Sequence, residues 1–163
     1  MTWDWLTDNW LGVLSLVATI ITAFVANWYL RRQHQINGLQ DAFILLNSRQ
    51  HRYSRKRVYE LYRDYKNNND LSVFDHQEEV EDIRADFDVI GVLVKKGNIH
   101  KELFMYEFGP LVYRCWNYLK EHTEEERVKR DFKYYMENFQ WLADESQKYW
   151  KDKKDLSETK LYD

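Results

Sequence analysis

The sequence predicts an all-α protein: one transmembrane helix at the start, then a small cytosolic bundle of about four helices. Three observations carry that expectation. Residues 10–30 form an apolar run without a charge, and the later apolar residues recur at three- and four-residue steps. The 163 residues also hold only one proline and five glycines, too few for the turns of a sandwich or barrel, and strand-like alternation is nearly absent.

Residues 10–30 contain Asn27 as their one strong polar interruption. At a rise of about 1.5 Å per residue the run extends roughly 31 Å, close to the hydrocarbon thickness of a bilayer. Trp3, Trp5 and Trp10 stand at one end and Trp28 and Tyr29 at the other, as interfacial aromatic belts require. A cleaved signal peptide would open with basic residues, but this chain opens with Asp4 and Asp8 and follows its apolar run with Arg31 and Arg32. The same asymmetry sets the expected direction, with residues 1–9 extracytoplasmic and residues 31–150 a cytosolic helical domain. Gly12, Ser15, Thr19, Thr22 and Ala26 share one side of the run, a face of small residues on which another membrane helix can pack.

Beyond Arg32 the pattern predicts a continuation of the helix, or a second helix after a bend near Gly38. Phe43 and Leu46 lie on one side of it with Gln50, and Ile44 and Leu45 widen the apolar stripe. Next comes a stretch of interleaved basic and aromatic residues, Arg49, Arg52, Tyr53, Arg55, Lys56, Arg57 and Tyr59, continued by Tyr62, Arg63, Tyr65 and Lys66 and offset only by Glu60 and Asp64. The run Asn67, Asn68, Asn69, Asp70 is a turn signal that ends this element. Asp75 and Glu78 stand at capping-box spacing before Val80, Ile83, Phe87, Ile90 and Val94, with Gly97 as the stop. A third element is expected over residues 99–119, kinked or restarted at Pro110. Thr123 and Glu126 form a second capping box, which predicts a fourth helix with Val128, Phe132, Tyr135, Phe139, Leu142 and Tyr149 as its stripe. Residues 151–163 are charged and aperiodic, which marks a flexible tail. Amphipathic helices joined by short links bury their stripes against one another, hence the bundle.

Chemistry is much less visible. A net charge of -3 announces neither a nucleic-acid binder nor an acidic tail, and the mean hydropathy of -0.74 makes most of the chain hydrophilic. Cys115 is the only cysteine, so no internal disulfide can form, and its place on an apolar stripe reads as a buried thiol. The five histidines share no metal-binding spacing, and no zinc, nucleophile-elbow or phosphate-loop motif occurs. The expectation is a protein that is not an enzyme and needs no metal or cofactor.

Two constellations remain as candidates. Arg84, Asp86 and Asp88 flank the core residue Phe87, which predicts a buried ionic network with Arg114 as partner; such networks are usually structural. The basic and tyrosine-rich stretch has three readings. It can be a solvated helix face, a patch drawn to anionic lipid heads if it lies back on the membrane, or a site for phosphate in a nucleotide or RNA, with Arg on phosphate and Tyr on bases.

The stretch Arg84-x-Asp86-Phe87-Asp88-x-Ile90-Gly91-x-Leu93-Val94-x-x-Gly97-x-Ile99, followed by Trp116 and residues 139–142, resembles a family of small bacterial and phage-borne membrane proteins of unknown function. The resemblance implies one N-terminal membrane helix, here in the bacterial cytoplasmic membrane, a helical domain in the cytosol and no catalytic residues carried over. The favoured expectation is therefore a noncatalytic membrane-anchored subunit. Its partners would be the lipid bilayer and either a second copy or another membrane protein. The alternative is a membrane effector of antiviral defence or stress that senses a nucleotide through its cytosolic domain. A membrane-bound hydrolase, using Asp86, Asp88 and a histidine, is the weakest reading.

Overall fold

The computed structural model describes residues 10–154. Its elements are α1 (Trp10–Asn47), α2 (Arg49–Asn68), a 3-10 turn (Leu71–Phe74), α3 (Glu78–Lys95), α4 (Lys101–Lys129) and α5 (Glu137–Lys154). The expected all-helical architecture is found. Residues 1–9, with Trp3, Trp5, Asp4 and Asp8, lie outside the described residues, as do residues 155–163. The charged C-terminal stretch is helical at least to Lys154.

α1 is one uninterrupted helix of 38 residues, about 57 Å long at the usual rise. The bend expected at Gly38 is absent. Gly38 serves a different purpose: a Cβ there would lie 2.4 Å from the Asn98 carbonyl oxygen, so its missing side chain lets the α3–α4 connection press against α1. The break comes instead at Ser48, whose hydroxyl accepts from the His51 amide at 3.1 Å and starts α2. The Gly12–Asn47 segment is long and apolar enough to cross a membrane, and its most apolar stretch is entirely exposed.

Two of the expected helix starts are corrected. α3 begins at Glu78 and has no side-chain cap, because the Asp75 carboxylate is turned to His122. Three acidic residues in its first turn, Glu78, Glu79 and Glu81, complement the helix dipole in the absence of a cap. α4 runs unbroken for 29 residues through both Pro110 and Thr123. Thr123 caps nothing: it is buried in mid-helix and its hydroxyl donates to the Leu119 carbonyl at 2.7 Å. Burial of Cys115, Trp116, Leu119 and His122 along the same helix overrides the local start signal. The stripe expected for the last helix shortens accordingly. Val128 and Phe132 are exposed, and the buried register of α5 starts at Phe139 and continues through Leu142, Ala143, Ser146 and Trp150.

The core is built by Val58 and Leu61 of α2, Phe74 of the turn, Ile83, Phe87 and Ile90 of α3, Phe104, Val112 and Trp116 of α4, and Phe139 and Leu142 of α5. The Phe87 and Phe139 rings stack at 5.1 Å, with Trp116 edge-on to Phe139 at 5.1 Å. α3 runs antiparallel to the α1–α2 line: Asn98 meets Gly38, Asp86 meets His51, and Asp82 meets Ser54. The α3–α4 connection is thereby held against the middle of α1.

α3 and α5 approach so closely at Gly91 that a Cβ would lie 2.4 Å from the Asn138 carbonyl oxygen. Gly91→Ala is expected to lower stability by about 1–3 kcal/mol through forced backbone displacement. Gly12→Ala, where a Cβ meets nothing, should leave it unchanged. Urea unfolding of the detergent-solubilised chain, followed by helical circular dichroism, measures both.

Candidate functional site

The residues expected to form one ionic network are distributed among three separate interactions. Arg84 is fully buried, bonds Glu81 at 3.0 Å and His122 at 2.5 Å, and leaves its Nε unpartnered. Asp86 accepts from His51 Nδ1 at 2.8 Å. Asp88 caps α5 from outside: its carboxylate accepts from the backbone N–H of Asn138 at 2.9 Å and of Phe139 at 3.0 Å, and from the Asn138 amide side chain at 3.2 Å. Those backbone groups are the unsatisfied donors of a helix first turn. Arg114 joins none of these interactions; it stands near Tyr59 and Cys115, with a buried, unpartnered Nε. The correction follows from helix phase, since α3 turns about 100° per residue and points each of its charges at a different neighbour.

A polar cluster that the sequence reading missed joins the 3-10 turn, α3 and α4. His122 Nε2 lies 2.9 Å from Asp75 and its Nδ1 lies 2.5 Å from the Arg84 guanidinium. A guanidinium only donates, so Nδ1 accepts and Nε2 carries the hydrogen given to Asp75. Burial pushes the His122 pKa down, which suits this neutral tautomer, and the His122 hydrogen bond holds Asp75 below the usual carboxylate range. Asp75, His122 and Glu126 place ligand atoms within 4.8 Å of one another, a spacing that fits a metal ion. With both ring nitrogens committed and Lys129 at 3.7 Å from Asp75, the arrangement is a hydrogen-bonded relay, not a ligand set. Two signals could have found it. Val80, Arg84, Phe87, Gly91 and Val94 share one core register, and His122 and Glu126 are one helical turn apart.

The basic and tyrosine-rich stretch forms most of α2 and divides by face. Arg49, Arg52, Tyr53 and Lys56 are exposed on its outer side, whereas Arg55, Arg57 and Tyr59 are half-buried. Glu60 partly neutralises it, 3.8 Å from Lys56 and 3.6 Å from Arg57. Tyr59 turns inward, its hydroxyl 3.9 Å from the Cys115 sulfur; burial raises the tyrosine pKa and pushes the thiol up to about 12. Such a thiol is not a nucleophile at neutral pH.

On α1, Gly12, Ser15, Thr19, Thr22 and Ala26 are all exposed. By helix phase they face away from Leu39, Ala42 and Leu46, the residues through which α1 meets the bundle. Thr19 and Thr22 donate their hydroxyls to the Ser15 and Ala18 carbonyls, both at 2.8 Å, so the face presents methyl groups and backbone.

These features define a class: a helical domain, its buried polar groups largely paired, carried on one long apolar helix. The chain belongs to the family described as a domain of unknown function (DUF4760), whose match covers residues 14–146 and so includes the apolar helix with the bundle. No curated protein and no solved structure matches the chain.

Burial lowers the pKa of both His51 and His122. A histidine whose folded pKa is depressed contributes stability that is complete above its unfolded value of about 6.5 and is lost as pH falls toward the folded value. The urea midpoint is therefore expected to drop between about pH 7.5 and pH 5.5, and less so in His122→Gln. Asp88→Ala should cost about 1–2 kcal/mol by uncapping α5. Amide hydrogen exchange at Asn138 and Phe139 should rise with it.

Proposed function

We propose that this protein is a noncatalytic, membrane-anchored subunit that assembles through α1 and offers its helical domain to a partner on the cytosolic side. One observation carries the reading. Among the described residues α1 leaves its apolar half unpartnered, and it presents an uncharged face that continues toward Phe43, which packs edge-on to Phe108. The small residues are spaced three and four apart, and the same seven-residue period continues beyond Leu30. It takes in Tyr29, Ile36 and Phe43, all at least half exposed, interleaved with Gln33, Gln40 and Asn47. A sustained seven-residue repeat is the geometry of a left-handed helix pair, and polar residues at alternate layers fix register at some cost in stability. Small residues in the apolar half let backbones approach where lipid offers no hydrophobic drive. The basic residues after the run and their absence before it favour an outside N-terminus in a bacterial cytoplasmic membrane.

The exposed Arg49, Arg52, Tyr53 and Lys56 keep a second reading in view, a domain that binds a nucleotide signal. Titration with cyclic and linear nucleotides tests it; binding indifferent to Arg52→Ala and Arg55→Ala removes the motive.

In mild detergent the full chain is expected to run at the mass of two or more chains by light scattering. Combining Gly12→Leu with Thr19→Leu should weaken self-association about tenfold, the loss expected when a close membrane-helix contact is wedged apart. A chain that is monomeric at all concentrations and recovers no partner from membranes would overturn the reading.

A further inference from the structure

Two clusters of basic side chains lie on this protein, and helix geometry separates them by depth. With α1 taken as the membrane helix of the proposed function and residue 30 at the boundary, each further residue lies about 1.5 Å deeper in the cytosol. Arg31 and Arg32 stand at the boundary itself. Gln35 lies about 8 Å beyond it, and donates to the Gly97 carbonyl at 3.1 Å. This bond and the close approach of Asn98 to Gly38 bring the α3–α4 connection, with Lys95, Lys96 and Lys101, to the same level. Arg49 lies about 28 Å beyond the boundary, and α2 continues away from it because α3 runs back antiparallel along both helices. At physiological salt an exposed charge is screened within about 8 Å, so Arg31 and Arg32 are in reach of lipid heads and the α2 cluster is not.

Of the boundary residues, Arg31 and Arg32 line a cleft of about 370 Å³ together with Trp28, Gln35 and His100. The Arg32 guanidinium lies over the Trp28 indole at 5.5 Å, which leans it along the interface where indoles prefer to sit. No carboxylate occurs on α1 before Asp41 to neutralise the arginines. Lys101 is already paired with Glu145 and Lys95 lies 5.6 Å over Trp141, so the weight falls on Arg31 and Arg32. Guanidinium groups bind phosphate oxygens through paired, charge-assisted hydrogen bonds. We infer that this cleft seats the phosphate of an anionic phospholipid headgroup, and that α2 does not touch lipid. The bound lipid would hold the α3–α4 connection to the membrane surface as well as to α1.

The test uses the full chain in nanodiscs of phosphatidylcholine and phosphatidylglycerol, followed by native mass spectrometry of the lipids retained. Phosphatidylglycerol should be retained in preference. R31Q combined with R32Q should reduce that preference about thirtyfold, as two charges lost from an anionic surface predict, while R52Q combined with R55Q leaves it intact. Preference that survives the first pair, or disappears with the second, overturns the inference. Displacement of the lipid by inorganic phosphate that is itself retained would assign the cleft to a soluble phosphate ligand instead. Carbonate extraction separates the two failures: a chain released from membranes refutes anchoring and lipid seat together, whereas a retained chain without lipid preference refutes the seat alone.

Discussion

Arg84 is the constraint around which the bundle is arranged. A guanidinium with no exposure, on a helix flanked by Ile83 and Phe87, must find acceptors within the protein or destabilise it by several kcal/mol. It finds them in Glu81 on its own helix and His122 on α4, and His122 in turn reaches Asp75 beside the 3-10 turn. Three elements are thus locked in mutual register by directional bonds, and nonpolar packing alone does not supply direction. Asp75 is consequently withdrawn from capping α3, and Glu81 is shared with the Tyr135 hydroxyl at 2.8 Å, which extends the lock to the link before α5.

Acidic residues on α3 are used the same way further along. Asp86 fastens α2 through His51, and Asp88 supplies the first turn of α5 with the acceptors that its own sequence lacks. One helix therefore fastens α2, α4 and α5 through charged side chains spaced one or two residues apart. Gly91 completes the arrangement by allowing backbone contact where a side chain would separate α3 from α5.

Helix existence and the apolar registers were legible in the sequence, because Val80, Ile83, Phe87, Ile90 and Phe139, Leu142 keep a period that only helix packing explains. Helix ends were less so. Thr123 and Glu126 satisfy every local rule for a start, yet Thr123 sits inside α4, because burying Leu119 and His122 outweighs one cap. The sequence left open whether the helix continues through Gly38 or bends there; it continues, and the role of Gly38 is closeness, which depends on Asn98, sixty residues on. The charged residues near Phe87 were correctly singled out and wrongly grouped: which charges meet depends on the angles between helices, and one helix's sequence does not contain those angles. For the basic stretch of α2, the pattern was legible but its distance from the end of the apolar run required knowing that α1 does not bend.

That straightness has a mechanical side. Trp10 and Leu46 belong to a single rod, and Leu46 is fully buried among the core residues of the bundle. A helix has no soft joint unless a proline, a bulge or a break supplies one, and α1 has none before Ser48. Its apolar half is thus joined by continuous helix to the buried Ala42 and Leu46, and through the Gln35 bond to the α3–α4 connection. Among the described residues, the first break along this line of helix lies beyond that point, at Ser48.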